Sequence, residues 1–157
     1  MSTLNEKTAR AYNDLVEINK SATKGYHEAA EGVSNPKLKS ELNRLSQQRA
    51  QFASDLTQRA RQFGLNPEKD STIENALTDA TAAVHRGWIN IKSAVTGHDD
   101  SAILRECETG DASALKFYET AMKAPDLPAA AKTVIEQQHS QIVSARSMVT
   151  QWKSQVK

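Results

Sequence analysis

Apolar or small residues recur at alternating steps of four and three along five stretches of this chain, and capping or helix-breaking residues bound each stretch. Such spacing places these residues on one face of an α-helix, at about 100° per residue. In the second stretch this face consists of Leu38, Leu42, Leu45, Arg49, Phe52, Leu56, Arg59 and Phe63. The pattern predicts an all-α bundle in which two arginines stand on an otherwise apolar face.

Breaking residues divide the chain into five predicted helices. Proline is tolerated at the first helical position and glycine ends a helix as a left-handed cap, so the breaks fall at Pro36, Gly64, Gly97 and Pro125 to Pro128. The predicted helices cover residues 3–33, 36–63, 71–97, 101–122 and 128 onwards. Four of them are about 40 Å long, which matches an antiparallel four-helix bundle. The third is either a bundle member or the crossover that lets the fourth run parallel to the second.

Composition limits the class of protein. A chain of 157 residues suits one domain, residues 1–157, with a core of its own. Its single cysteine, Cys107, excludes an intrachain disulfide and favours a reducing compartment. Without a signal peptide or a membrane-length apolar run, a soluble cytoplasmic protein with no membrane partner is expected. The net charge is +1 and the basic residues of the second helix scatter around it, so no nucleic-acid partner is expected.

Three glycines fall on predicted buried faces in mid-helix. Each of Gly25, Gly87 and Gly110 should weaken its helix by about 1 kcal/mol relative to alanine. Close approach of two helices is the preferred explanation, and space for a ligand or ion against the backbone is the alternative.

Helical bundles can hold a paired-metal site built from inward glutamates and Glu-x-x-His steps. The chain has one such step, from Glu136 to His139. With Gln138 at the centre of the apolar face, Glu136 points away from the core and His139 lies at the flank. The second helix carries no matching carboxylate or imidazole at residues 47–51. No cofactor is therefore expected, although iron or another divalent metal stays open as an alternative.

Two charged residues do face the predicted core. Arg49 on the second helix and Asp111 on the fourth are natural partners, because a buried lone charge is costly and a hydrogen-bonded pair is tolerable. Tyr26 or Tyr118 can complete this network. A structural polar layer is the preferred interpretation. The alternative is a ligand site for a metal or small anion, with Glu28 and Asp111 as weak metal ligands.

The run His85-Arg86-Gly87-Trp88 is the most distinctive short motif of the third helix. His85 points away from the predicted apolar face and Trp88 lies at its edge. The pair should therefore cover a neighbouring element or form a subunit contact rather than line the core, since an edge tryptophan makes a good interface anchor.

Several runs in order resemble a known family: Leu15 to Lys20, Lys24-Gly25-Tyr26, Glu28 to Glu31, Gln48 to Ala53, His85 to Trp88 and Glu106 to Asp111. They are similar to an uncharacterised bacterial family of four-helix-bundle proteins, domain of unknown function 2383, which is grouped with ferritin-like folds. The resemblance extends from about Leu4 to Tyr118. Where that family commonly has glutamate after Gly110, this chain has the shorter Asp111.

These observations favour a non-catalytic helical protein that acts through self-association or a protein partner, and the resemblance loosely implies a role in stress physiology. The alternative is a ferritin-like metal-binding or redox protein that uses Glu28, Asp111 and Tyr118 near Arg49. The position of Arg49 distinguishes these two hypotheses, because a fixed cation on the core face stabilises a carboxylate and repels a divalent metal. A module that binds a partner in a helix groove is a third option, and it would require an exposed apolar patch that includes Trp88.

Overall fold

The structure, a computed structural model, describes residues 5–65, 88, 90–97 and 99–156. All the regular structure in these residues is helical. The α-helices are α1 (Glu6–Gly32), α2 (Pro36–Ala60), α3 (Ile91–Thr96), α4 (Asp100–Met122) and α5 (Ala129–Gln155), and a 3-10 turn, Arg61–Phe63, follows α2. The predicted all-α class is confirmed for this part of the chain.

Side-chain caps fix where the long helices begin. The Asn5 side chain accepts a hydrogen bond from the Thr8 backbone N–H at 2.8 Å, and Asn35 does the same for Lys37 ahead of α2. Each cap satisfies a backbone donor that has no partner within its own helix. After α2, Gly64 adopts the left-handed conformation with a φ of 76°. The predicted break at Gly64 is therefore confirmed, although the last turn before it is 3-10 rather than α.

Hydrogen bonds between the long helices give their directions. From α1, the Tyr12 hydroxyl donates to the Leu56 carbonyl near the end of α2, and Thr23 later in α1 accepts from Ser46. As residue numbers rise along α1, the residue numbers of its partners on α2 fall. The two helices are therefore antiparallel. Tyr26 of α1 bonds Asp111 of α4, whereas Asn19, which comes earlier in α1, bonds Tyr118, which comes later in α4. α4 is thus also antiparallel to α1, and by the same argument α5 is antiparallel to α4.

Two helices that are both antiparallel to α1 must be parallel to each other. The chain therefore leaves α2 at one end of the bundle and enters α4 at the opposite end. α3 belongs to the connection between them and packs against α1 and α4. Among the described residues, α1, α2, α4 and α5 are the long helices, and the described end of the third predicted helix is part of this connection.

The predicted third helix differs from the structure where it can be compared. Residues 71–87 lie outside the described part, and the prediction stays untested there. Trp88 and Asn90 lie in a turn, and α3 begins only at Ile91. The helix predicted at Trp88 and Asn90 is thus wrong. At this point the Trp88 indole lies between Gly25 of α1 and Gly110 of α4.

The core consists of two apolar clusters, one toward each end of the bundle. One cluster takes in Leu45 of α2 and Cys107 of α4, and the other takes in Phe52 and Ala114 of the same two helices. The residues between them along α2 and α4 include Arg49 and Asp111, which are completely buried. A polar layer therefore separates the two halves of the apolar core.

Gly25 and Gly110 face each other across the indole of Trp88. A methyl group on either glycine would overlap the Trp88 ring, and Gly32 stands in the same relation to Val95. The glycines therefore make room for side chains of the crossover, and the expectation of a direct close approach of two helices is wrong for Gly25 and Gly110. Gly87 lies outside the described residues.

Candidate functional site

Arg49 and Asp111 form a two-point ion pair in the middle of the bundle. Arg49 Nη1 donates to Asp111 Oδ1 at 2.5 Å and Nη2 donates to Oδ2 at 3.2 Å. Both side chains have an exposed fraction of 0%. The planar guanidinium matches the carboxylate in this geometry. Such two-point pairing is the arrangement that best offsets the free-energy cost of removing both charges from water.

Tyr26 completes the coordination of the same carboxylate. Its hydroxyl donates to Asp111 Oδ2 at 2.5 Å, and the Arg49 guanidinium carbon lies 5.1 Å from the centre of its ring. Burial raises the pKa of Tyr26 well above its ordinary value, and the charge of Asp111 raises it further. The phenol is therefore a neutral hydrogen-bond donor, and both oxygens of Asp111 are engaged.

A third N–H of the guanidinium bonds a neighbour on its own helix. Arg49 Nε donates to the side-chain oxygen of Gln48 at 3.0 Å, and Gln48 is half-buried. Burial alone would lower the pKa of Arg49, but the charge and hydrogen bonds of Asp111 outweigh this effect and raise it. Arg49 is thus a permanent cation held on one side by a carboxylate and on the other by an amide.

Tyr118 belongs to a second chain of hydrogen bonds beside the ion pair. Its hydroxyl accepts from Asn19 Nδ2 at 2.7 Å and donates to Gln138 Oε1 at 2.6 Å. Gln138 Nε2 in turn donates to the backbone carbonyl of Phe52 at 3.4 Å. The structure therefore places Tyr118 in the polar layer without a direct hydrogen bond to Arg49 or Asp111.

Two residues of this layer were not foreseen as site residues. Gln138 stands at the centre of the apolar face of α5, so its position was a usable signal. Asn19 follows Ile18 on α1, and its short side chain gives no sign in the sequence that it reaches Tyr118. Its amide also donates to the Leu15 carbonyl one turn earlier, which holds it in place.

The weak metal candidates are not brought together as a ligand set. Glu28 is half-buried on α1, and the hydrogen-bond partners of Asp111 are Arg49 and Tyr26 instead. Within residues 5–65, 88, 90–97 and 99–156, no group of three His, Cys, Asp or Glu side chains is placed to hold a metal ion. Cys107 is buried in one apolar cluster, and burial, followed by the charge of Asp111, raises the pKa of its thiol well above the ordinary value.

Of the two residues predicted to form an interface contact, His85 and Trp88, the structure describes only Trp88. His85 lies outside the described residues, and the prediction for it stays untested. Trp88 has an exposed fraction of 8% and packs edge-on against Tyr26, with ring centres 5.1 Å apart. The indole therefore lines the core and covers the Tyr26 side of the ion pair, contrary to the expectation that it lies at the edge of the apolar face.

One acid of α1, Asp14, is buried outside the polar layer, with an exposed fraction of 8%. Burial raises the pKa of Asp14 to about 6, the charge of Glu17 adds to this effect, and Arg10 opposes it. This carboxyl group therefore titrates near neutral pH, unlike an ordinary surface aspartate.

Fold and site together define a class: an all-helical bundle whose core is crossed by a layer of satisfied polar groups around one buried ion pair. None of the described helices is long and apolar enough to span a membrane. A family model matches residues 7–124, three quarters of the chain, and the chain belongs to this family, described as "Domain of unknown function (DUF2383)". No curated protein matches the sequence.

A double-mutant cycle tests the energetic role of the ion pair. Arg49→Met and Asp111→Leu should each lower the free energy of unfolding by about 3–5 kcal/mol, because each leaves the other charge buried without its partner. The double variant should lose clearly less than the sum of the two, since neither charge then remains. Urea unfolding followed by circular dichroism measures all four proteins. Additive losses would contradict a direct pairing of these charges.

The pH dependence of stability tests the burial of Asp14. Its folded-state pKa of about 6 exceeds the ordinary value of about 3.9, so its contribution to stability is complete below the ordinary pKa and is lost as pH rises through 6. Asp14→Asn should therefore be more stable than the original chain at pH 7 and should lose this advantage near pH 4. Urea unfolding at both pH values measures it, with Glu136→Gln on the exposed face of α5 as the control. An equal advantage at both values would contradict the burial.

Proposed function

We propose that this chain is a non-catalytic, cytoplasmic helical-bundle protein that acts through contacts of its outer helix faces, with a role in bacterial stress physiology as its family resemblance implies. The observation that carries the non-catalytic part is the closed pairing of its buried charges. Both oxygens of Asp111 are held by Arg49 and Tyr26, and the Tyr118 hydroxyl is held by Asn19 and Gln138. Groups that satisfy one another in this way stabilise a fold rather than bind a substrate.

We also propose that the bundle is ferritin-like. The support is its chain path: α2 and α4 are parallel, and one long crossover joins them, a connection typical of ferritin-like folds. In such bundles metal ligands project from facing helices at mid-length. Here Arg49 and Asp111 stand at mid-length, so a fixed cation occupies the place where a metal would need free carboxylates.

The outer face of α5 supports the proposed contact. Along this helix most residues that point away from the bundle are exposed and uncharged, with Glu136 as the charged exception: Ala130, Thr133, Gln137, Ser140, Ser144, Ser147, Gln151 and Ser154. One quarter of the whole chain is charged, so such a run is unusual for a solvated face. Val143 borders it with an exposed fraction of 46%, the one exposed large hydrophobic residue of the described chain.

The partner proposed for this face is a second copy of the same chain. In a twofold dimer each face meets itself, and residues near its centre lie opposite their own copies. A charged face would place like charges together there, which is unfavourable, whereas this face has small hydroxyl and amide side chains that can pair with themselves. Ser144 stands near the middle of α5, so two antiparallel copies would bring both Ser144 residues together.

The dimer is tested with Ser144→Glu, which should place two like charges at the twofold axis. We expect the original chain to have the mass of a dimer by light scattering coupled to size-exclusion chromatography, and the variant to have the mass of a monomer. Asn43→Glu, an added charge on the exposed face of α2, is the matched control and should remain a dimer. A monomeric original chain, or a variant that stays dimeric, would contradict the contact.

The alternative function is a ferritin-like metal-binding or redox protein with a non-standard ligand set of Glu28, Asp111 and Tyr118. The observation that favours it is the meeting of a carboxylate and two phenols in one polar layer at mid-bundle. Metal binding there would require Asp111 to exchange Arg49 for the ion. The two functions therefore differ in the partner that the Asp111 carboxylate must have: Arg49 in the first and a metal ion in the second.

Metal loading separates the two functions. Chelator-stripped protein is exposed in turn to ferrous iron, zinc and manganese, and the metal retained per chain is counted. We expect no stoichiometric retention, and we expect Asp111→Ala to lower stability without changing the metal count, because the carboxylate serves Arg49. Asp55→Ala, which removes a carboxylate elsewhere on α2, is the control. Retention near one ion per chain that is lost in Asp111→Ala alone would favour the alternative.

A further inference from the structure

A cleft lies at the end of the bundle where α1 begins and α4 ends. Residues 5–11 form one wall and residues 120–125 form the other. Its volume of about 410 Å³ falls within the range of small-molecule pockets, about 300–1,000 Å³. The cleft is therefore large enough for a small organic ligand.

The polar side chains of both walls are bonded to the protein itself. The Thr8 hydroxyl donates to the Asp126 carboxylate, and the Thr120 hydroxyl donates to the Lys116 backbone carbonyl at 3.1 Å. The side-chain oxygen of Asn5 accepts from the Thr8 backbone N–H at 2.8 Å. The surface that faces the cleft is mainly carbon, from methyl groups, one proline ring and the stems of two lysines.

Short side chains leave this space between the two walls. Ala11 lines the cleft from α1, and Ala124 lines it from the turn after α4. Neither methyl group reaches far enough to fill the volume, and Pro125 beside Ala124 offers no backbone N–H to a ligand. A larger side chain at Ala124 would occupy part of the cleft.

Two lysines, one on each wall, bring positive charge to the cleft. Lys7 of α1 is exposed, and Lys123 directly after α4 is half-buried. Among the residues that the structure describes, neither lysine is in an ion pair. The Asp126 carboxylate beside the cleft is already engaged, because one oxygen accepts from the Asn5 backbone N–H and the other from Thr8. The cleft thus combines apolar walls with two ammonium groups that can pair with a ligand.

Other charges near the cleft do not explain a preference for one sign. The start of α1 favours an anion and the end of α4 disfavours one, so the two helix ends oppose each other. Glu6, next to Lys7, lies 4.0 Å from Arg10 one turn later on the same helix. The preference for an anion therefore comes from Lys7 and Lys123.

From this arrangement we propose that the cleft binds a small amphipathic anion of the medium-chain carboxylate class. The acyl chain packs against the methyl groups of Ala11 and Ala124, and the carboxylate accepts hydrogen bonds from Lys7 and Lys123. A neutral alcohol of the same length would keep only the apolar contact, and acetate would keep only the charge. The proposal does not depend on the proposed contact between copies, because the cleft lies between α1 and α4 and the outer face of α5 takes no part in it.

Titration calorimetry at low ionic strength with octanoate, 1-octanol and acetate tests the ligand class. Octanoate should bind at one site per chain and at least about tenfold more tightly than either of the other two compounds. The double variant Lys7→Gln with Lys123→Gln should weaken octanoate binding roughly tenfold, because both charged partners of the carboxylate are lost. Lys37→Gln with Lys39→Gln, two exposed lysines at the opposite end of the bundle, is the matched control and should leave the affinity unchanged.

A second variant tests the place of binding. Ala124→Phe should fill the cleft and weaken octanoate binding more than about tenfold, whereas Ala50→Phe on the exposed face of α2 should not change it. Circular dichroism checks that each variant is folded, and amide NMR shifts caused by octanoate should be confined to residues 5–11 and 120–126. Absence of saturable octanoate binding, equal affinity for 1-octanol, or an affinity that neither the lysine variant nor Ala124→Phe lowers would overturn the proposal.

Discussion

The ion pair between Arg49 and Asp111 is the interaction on which the rest of the bundle depends. A charge in a protein interior is tolerated only where an opposite charge and hydrogen bonds compensate it. Here the pair joins α2 to α4, and Tyr26 brings α1 to the same carboxylate, so three of the four long helices are fixed at one level. A shift of α2 or α4 by one helical turn would separate the charges, and the same shift of α1 would take the Tyr26 hydroxyl away from Asp111. Apolar packing tolerates small shifts far better, so the polar layer specifies the alignment of the helices.

The core around this layer excludes water from the buried hydrogen-bond network. Tyr118, Asn19 and Gln138 satisfy one another beside the ion pair, and apolar clusters close both ends. The remaining side is closed by the indole of Trp88, which needs a recess on two helices at once. Two mid-helix glycines supply it, and the helix propensity lost at each is offset by the area that the indole buries.

Much of the fold could be predicted from the sequence because helix periodicity and capping residues act locally. Pro36 and Gly64 mark the limits of the second helix as predicted, and the meeting of Arg49 with Asp111 followed from helical phase and the cost of a lone charge. The crossover was harder to predict, because the position of Trp88 depends on recesses on two distant helices. Asn19 and Asp14 were missed for a related reason: their burial depends on which helices pack beside α1, and one helix's pattern does not contain that information.

The parallel course of α2 and α4 has a consequence for the order in which the chain folds. α1 with α2, and α4 with α5, are hairpins of neighbouring helices, whose contacts close short loops and so form early. The bonds between the hairpins join residues far apart in sequence, 62 residues for Arg49 and Asp111 and 85 for Tyr26 and Asp111. Each hairpin alone would carry one unpaired charge on its apolar face, and burying that charge against a wrong partner would be costly. Arg49 and Asp111, which align the helices of the folded bundle, would thus disfavour wrong association of each hairpin before the two hairpins pack together.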